Sequence, residues 1–106
     1  MVDEKTFSKL AGEALAGLER ALAGVEGVDA DLAGDVLTIE LDGGRTYVIN
    51  SHGAARQVWV AANARAWHLS YDEAAGRWVD TREGRELWAL VGEVLSVGLG
   101  RKVTLA

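Results

Sequence analysis

The fold is decided by residues 36–50, VLTIELDGGRTYVIN. On both sides of Asp42-Gly43-Gly44, apolar side chains alternate with polar ones, which is the two-residue period of a strand with one buried face. Glycine supplies the positive φ that a tight turn requires. The stretch therefore predicts an antiparallel hairpin with strands at Val36 to Leu41 and Arg45 to Asn50.

The rest of the chain extends this hairpin into a sheet between two helices. Apolar residues at three- and four-residue steps predict a first helix from roughly residue 4 to 24 and a second from about residue 84 to 98. Helix, short strands, then helix predicts an α+β two-layer sandwich, with the N- and C-terminal helices packed on one face of an antiparallel β-sheet. The further predicted strands are Val28 to Leu32, Gln57 to Ala61, Ala66 to Tyr71, Arg77 to Val79 and a strand-like tail, Lys102 to Leu105.

Length and composition limit the kinds of function to consider. The 106 residues are enough for one domain, residues 1–106, with 49% hydrophobic and 25% charged residues. The absence of cysteine excludes disulfides, thiolate nucleophiles and thiolate metal sites. No apolar run is long enough to span a membrane, and the first residues resemble no signal or transit peptide, so we expect a cytoplasmic protein.

The charge of the chain is concentrated in its first part. Residues 1–42 hold ten acids and three bases, a net charge of −7, whereas residues 43–106 have a net charge of +2. An acidic half repels phosphate, so we expect neither nucleic acid nor an anionic membrane as partner, and instead cations or basic protein surfaces. The alternative interpretation is an ordinary solvated helix face.

Strand alternation predicts which side chains the helices leave uncovered. If Val58 and Val60 point into the core, Gln57 and Trp59 lie on the other face, and the same argument places Asn50 and His68 there. An exposed tryptophan among polar side chains is typical of a protein-binding surface. A register shift of one residue would instead bury Trp59. The remaining tryptophans, Trp67, Trp78 and Trp88, are assigned to the core.

Few residues in the sequence indicate chemistry. No nucleophile elbow, phosphate-binding loop, zinc motif or EF-hand is present. His68 with Asp72 is a weak candidate for a catalytic pair, and we expect no enzyme activity. The acids near the end of the first helix and on the first strand could form a ridge that binds Fe²⁺, Fe³⁺ or Ca²⁺ weakly. The ridge residues are Glu19, Glu26, Asp29 and Asp31.

Several stretches together give the chain its resemblance to a known family. They are GDVLTI at 34–39, YVIN at 47–50, QVWVA at 57–61, WHL at 67–69, Trp78, and DTREGRELW at 80–88. With this spacing and element order, the chain resembles the frataxin family, and in particular its bacterial members. The resemblance covers essentially the whole chain, and the part from Asn50 to Trp59 is the most specific.

This resemblance implies a function. Frataxins are accessory proteins of iron–sulfur cluster biogenesis that bind the cysteine desulfurase, and in some organisms the scaffold protein, and bind iron loosely on an acidic ridge. It implies that Glu19, Glu26, Asp29 and Asp31 are ridge positions. It also implies that Asn50, Gln57 and Trp59, with His68 beside them, belong to the surface that meets partners.

The acidic ridge is thinner here than in close bacterial relatives, because several of its acidic first-helix positions are Gly12, Arg20, Ala23 and Gly24. Partner docking needs only a summed negative potential, whereas metal binding needs ligands at fixed positions. We therefore expect a regulator of the desulfurase, monomeric unless iron assembles it. The alternative is an iron-delivery or iron-storage protein that acts mainly through metal binding.

Overall fold

The computed structural model describes residues 2–105 as two helices and six strands. The strands form one antiparallel sheet in which spatial order equals chain order, and a 3₁₀ turn, Gly53–Ala55, joins the third strand to the fourth. Neither described helix is both long and apolar enough to cross a membrane. The elements are α1 (Glu4–Leu22), β1 (Val28–Ala33), β2 (Val36–Leu41), β3 (Thr46–His52), β4 (Gln57–Ala62), β5 (Arg65–Asp72), β6 (Arg77–Asp80) and α2 (Leu87–Leu99).

Both helices pack on the same side of the sheet, which confirms the predicted α+β sandwich. The apolar stripe of α1, including Phe7 and Leu18, and that of α2, including Leu90, contact the inward residues of the strands. Every second residue of the central strands is buried in this core, because side chains alternate between the faces of a sheet. These inward residues are Leu37, Ile39, Leu41, Tyr47, Ile49, Val58, Val60, Trp67 and Leu69.

The second helix begins at Leu87, later than its apolar pattern predicts. The carboxylate of Glu86 caps it by accepting hydrogen bonds from the N–H groups of Trp88, at 2.8 Å, and Ala89, at 3.1 Å. A side chain that caps a helix holds its own backbone outside the helix. The residues before Glu86 form a loop that is organised around a buried aspartate.

That aspartate is Asp80, at the end of β6. Its side chain accepts hydrogen bonds from the N–H groups of Glu83 and Arg85, both at 2.7 Å, and of Arg82 at 3.0 Å. Burial raises the pKa of Asp80, but these donors, together with the charge of Arg85, lower the pKa below its usual value. The ionised carboxylate therefore fixes the connection from β6 to α2.

The prediction of a last strand from Lys102 to Leu105 is wrong. This tail has no regular structure and folds back along α2. The N–H of Val103 donates to the hydroxyl of Ser96 at 2.8 Å, and Val103 and Leu105 pack against the core. The backbone N–H of Val103 thus finds its acceptor on a side chain of α2 and not on a sheet edge. The alternating apolar residues of the tail therefore cover α2.

The packing of α2 differs between Trp88, which faces α1, and Gly98, which faces the sheet. Trp88, which the sequence predicts to lie in the core, is only partly buried and lines an open groove of about 780 Å³ between the helices, beside Gly17. Gly98 faces β3, where a Cβ atom would overlap the Tyr47 hydroxyl. The absence of a side chain at Gly98 lets that hydroxyl lie 3.0 Å from the carbonyl oxygen of Val94.

Candidate partner-binding face

The side of the sheet opposite the helices is covered by no other element of the described chain, and we call it the open face. Asn50 on β3 lies directly opposite Trp59 on β4, and Trp59 lies directly opposite His68 on β5. Gln57 lies opposite His52 in the neighbouring row. The strand register thus places Asn50, Gln57, Trp59 and His68 together on the open face, as their alternation predicts.

Three aromatic rings form a stack across the open face. The ring of Trp59 lies between those of His52 and His68, with centroid separations of 4.1 Å and 4.3 Å and interplanar angles of 11° and 17°. Trp59 is therefore half-buried, whereas the sequence predicted an exposed side chain. We call these three residues the ring stack. Because imidazoles cover both faces of the indole, a partner can reach only its edge.

Polar side chains beside the ring stack hold Trp59 in place. The indole Nε1–H of Trp59 donates to Oε1 of Gln57 at 3.0 Å, and the amide of Asn50 donates to the carbonyl of Ser51 at 3.4 Å. Nδ1 of His52 is buried and has no hydrogen-bond partner among the described residues. The orientation of Trp59 is thus fixed by stacking and by one hydrogen bond.

The β1–β2 side of the open face is acidic. Asp29 lies directly opposite Glu40, and Asp31 lies opposite Thr38, and all three carboxylates are exposed. Directly opposed residues have Cβ atoms about 4.5–5.5 Å apart, so Asp29 and Glu40 repel each other. We call Asp29, Asp31 and Glu40 the acidic edge. Asp29 and Glu40 also line a shallow depression of about 300 Å³ together with Asp42.

The other two predicted ridge residues have different surroundings. Glu19 is half-buried on α1, where its carboxylate accepts a hydrogen bond from the backbone N–H of Leu32 at 2.9 Å. It therefore ties α1 to the outer edge of β1. Glu26 is exposed between α1 and β1, and its backbone carbonyl accepts a hydrogen bond from Arg101. Asp29 and Asp31, by contrast, share the open face.

The geometry does not provide a preformed metal cage. Within residues 2–105, no three histidine, aspartate or glutamate side chains converge as metal ligands. Exposed single carboxylates leave most coordination positions of a hard cation to water. The described acidic residues of this region therefore form an open surface and not a closed coordination site.

The proposed catalytic pair is not formed. His68 and Asp72 are four residues apart on β5, about 13 Å along a strand. Asp72 accepts hydrogen bonds from the N–H groups of Ala74, at 3.1 Å, and Ala75, at 3.2 Å, in the following turn. The imidazole of His68 is instead part of the ring stack.

A family model described as a frataxin-like domain matches residues 1–101. The chain belongs to the frataxin family. Among similar frataxin-family members, the iron-sulfur cluster assembly protein CyaY of Ralstonia nicotianae is 38% identical over 107 residues, and the alignment covers 96% of this chain and 93% of that protein. The protein of the same name from Dechloromonas aromatica is 36% identical, with 98% of this chain and 99% of that protein covered.

Solved frataxins have the same architecture. Frataxin from Psychromonas ingrahamii superimposes with a TM-score of 0.89 at 25% identity, and 99% of each chain is covered. Yeast frataxin superimposes with a TM-score of 0.72 at 24% identity, with 91% of this chain and 82% of that chain covered. The two-layer arrangement of this frataxin-family chain is thus shared by both solved structures.

Sequence reasoning missed two residues of this frataxin face. His52 follows the predicted third strand, which the structure extends by two residues, and its contact with Trp59 therefore could not be expected. Glu40 is not among the predicted ridge residues, although it shares the acidic edge with Asp29 and Asp31. Its position opposite Asp29 depends on the register between β1 and β2, which the turn at Gly34-Asp35 sets.

Proposed function

We propose that this chain is an accessory protein of iron–sulfur cluster assembly that binds the cysteine desulfurase and its scaffold protein and modulates the rate of assembly. Its frataxin-family relatives are named iron-sulfur cluster assembly proteins. The observation that carries the proposal is the open face, on which the ring stack and the acidic edge share one surface that the helices leave free.

The two parts of the open face would contribute differently to docking. The acidic edge attracts a basic surface at long range and loses that attraction as salt screens it. The ring stack lies about 15 Å away, because Trp59 is three strands from Asp31. It acts only at contact, where a buried aromatic edge excludes water. The proposed partner therefore has a basic patch beside an apolar one.

Calorimetric titration of the protein with the desulfurase of the same organism tests this function. We expect binding at low salt that weakens progressively as salt rises. Desulfurase turnover should also change when the protein is added, and it should be measured with and without the scaffold protein and iron. Absence of binding at low salt, with turnover unchanged under all four conditions, would refute the proposal.

Substitutions separate the acidic edge from the ring stack. We expect the double charge reversal Asp29→Lys with Asp31→Lys to weaken binding more than Trp59→Ala does, because the acidic edge is the main anchor. Trp59→Ala should still weaken binding about tenfold or more. Glu13→Lys is the matched control for Asp31→Lys, since Glu13 is also an exposed acid but lines the groove on the helix side. An equal loss in these two single variants would indicate non-specific charge attraction.

We also propose that iron is weakly bound cargo at the acidic residues of this region. Exposed carboxylates of Glu26, Asp29 and Asp31 suit Fe²⁺ and Fe³⁺ with water completing the coordination. Glu19 should contribute less, because its carboxylate already accepts the N–H of Leu32. NMR spectra with several equivalents of Fe²⁺ should show broadened amide signals for Glu26, Asp29 and Asp31. No selective broadening would exclude iron binding there.

A further inference from the structure

The ring stack places two titratable groups at the centre of the proposed docking face. His52 and His68 each lie flat against the ring of Trp59, at 4.1 Å and 4.3 Å. Histidine is the side chain whose ordinary charge change falls between pH 5 and 8. The charge on either side of the indole therefore depends on whether these imidazoles are protonated.

Protonation would change the charge of the stack without dismantling it. An imidazolium over an indole is attracted to the ring as a cation–π pair, so the rings remain in contact. Neither His52 nor His68 forms an ion pair within residues 2–105 that would fix its charge. A proton on each ring adds two positive charges beside Trp59.

The charged groups on the neighbouring elements do not cancel the positive charge that protonation would add beside Trp59. Beside His52, Arg56 is paired with Glu4 of α1 at 3.9 Å, and Gln57, directly opposite, is neutral. Near His68, the facing residue of β4 is Trp59, and the loop after β6 contains Arg82 and Glu83. Asp35, in the turn between β1 and β2, is an exposed acid near the end of β3, where its backbone carbonyl accepts a hydrogen bond from the N–H of Ser51 at 3.1 Å. The other ionisable side chains on the described strands of the open face are the acidic edge on β1 and β2, and Asp72 with Arg77 at the far end of β5 and β6.

We propose that the ring stack makes docking through the open face sensitive to pH, with tight binding when both imidazoles are neutral and weaker binding when they are protonated. This inference rests on the proposed function, in which the partner surface is basic. Two new positive charges oppose such a surface. At a partly exposed interface each unfavourable charge contact costs about 0.5–0.7 kcal/mol, so two contacts correspond to a combined loss of affinity of about five- to tenfold.

The effect of pH on the ring stack can be tested first in the free protein. The double variant His52→Phe with His68→Phe retains two flat rings against Trp59 but removes both protonation sites. We expect the NMR signal of the Trp59 Nε1–H to shift between pH 8 and pH 5.5 in the natural protein and to shift far less in the variant. The indole signal of Trp78, which is buried in the core, is the internal reference. Equal shifts of the Trp59 signal in both proteins would overturn the proposal.

The second test measures affinity for the desulfurase at pH 8 and pH 6 at constant ionic strength. Each protein is compared with itself, so titration of the partner contributes equally to both ratios. We expect the natural protein to lose about five- to tenfold more affinity than the double variant, with His68→Phe between them. Equal losses would refute the pH dependence and leave the proposed function intact. No binding at either pH would refute both.

Discussion

The two faces of this sheet are built from alternate residues of the same strands, and they differ in what they contact. On β5, Leu69 is completely buried under the helices, whereas its neighbour His68 is exposed on the open face, where its ring stacks on Trp59. On β2, Ile39 is buried between the outward Thr38 and Glu40. The comparison indicates that the covered face determines stability, and that the open face is free to carry rings and charges that a core would exclude.

The largest expected effect tests this division on neighbouring residues of one strand. Leu69→Ala removes buried methyl groups and leaves a cavity, so we expect the free energy of unfolding to fall by about 2–5 kcal/mol. His68→Ala, its matched partner, removes a surface ring and should lower the free energy of unfolding by less than about 1 kcal/mol. Urea denaturation followed by circular dichroism measures both.

For binding to the desulfurase, the order of Leu69→Ala and His68→Ala should be reversed. Provided that Leu69→Ala is assayed where it remains folded, it should bind the desulfurase like the natural protein, whereas His68→Ala should bind more weakly. Similar stability losses in the two variants would show that the open face also holds the fold. A larger loss of binding for Leu69→Ala would contradict the assignment of docking to the open face.

A second test concerns Gly98, where α2 packs against β3 without room for a Cβ atom. In Gly98→Ala, the added methyl group meets the Tyr47 hydroxyl and Leu41, so either the helix must move or Tyr47 must give up its contact with Val94. Overpacking of this kind costs typically about 1–3 kcal/mol. Thermal unfolding measures the loss. Gly12→Ala is the control on α1, because nothing lies within 4 Å of its added Cβ atom. Gly12→Ala should stabilise the protein slightly, since alanine has the higher helix propensity.

The loop before α2 gives a test that depends on pH. An asparagine has one acceptor oxygen and an NH₂ group, so Asp80→Asn leaves a backbone N–H such as that of Arg85 unsatisfied, at a cost of about 1–3 kcal/mol. The pKa of Asp80 is lower in the folded state than its unfolded value of about 3.9. The stabilisation of the folded state by the ionised Asp80 carboxylate is therefore complete above about pH 4 and is lost as the pH falls through the folded-state pKa. Urea denaturation at pH 7 and pH 3 should show a smaller difference between variant and natural protein at pH 3.

Much of the covered face could be predicted from the sequence, because burial leaves a periodic pattern. The alternation from Val36 to Asn50 fixes the hairpin, and the stripe from Phe7 to Leu22 fixes α1. The tail could not be predicted, because Val103 and Leu105 have the same spacing whether they join a strand or cover α2. The start of α2 depends on Asp80, whose bonds within its own loop leave no periodic signal.

The open face could be predicted only in part. Alternation assigns Trp59 and His68 to it, but it does not show which side chains on neighbouring strands touch. The ring stack requires the pairing of His52 with Gln57, which the length of the 3₁₀ turn Gly53–Ala55 determines. The bond from Leu32 to Glu19 likewise depends on the angle at which α1 crosses β1, and no sequence period encodes that angle.

The smallest expected change in the free energy of unfolding comes from the open face, and there the substitution should stabilise the protein. Asp29 and Glu40 are directly opposed like charges, so Glu40→Gln should raise the free energy of unfolding by about 0.2–1 kcal/mol at low salt, and less as salt screens the repulsion. The control is Asp31→Asn, because Asp31 lies opposite the neutral Thr38, so its substitution removes no repulsion between directly opposed carboxylates. Urea denaturation at two salt concentrations gives the stabilities, and titration with the desulfurase should show weaker binding for both variants. If Glu40→Gln gains no stability over Asp31→Asn, the repulsion between Asp29 and Glu40 is negligible. If Glu40→Gln is more stable but binds the desulfurase more weakly, the carboxylates of the acidic edge strengthen docking and destabilise the fold.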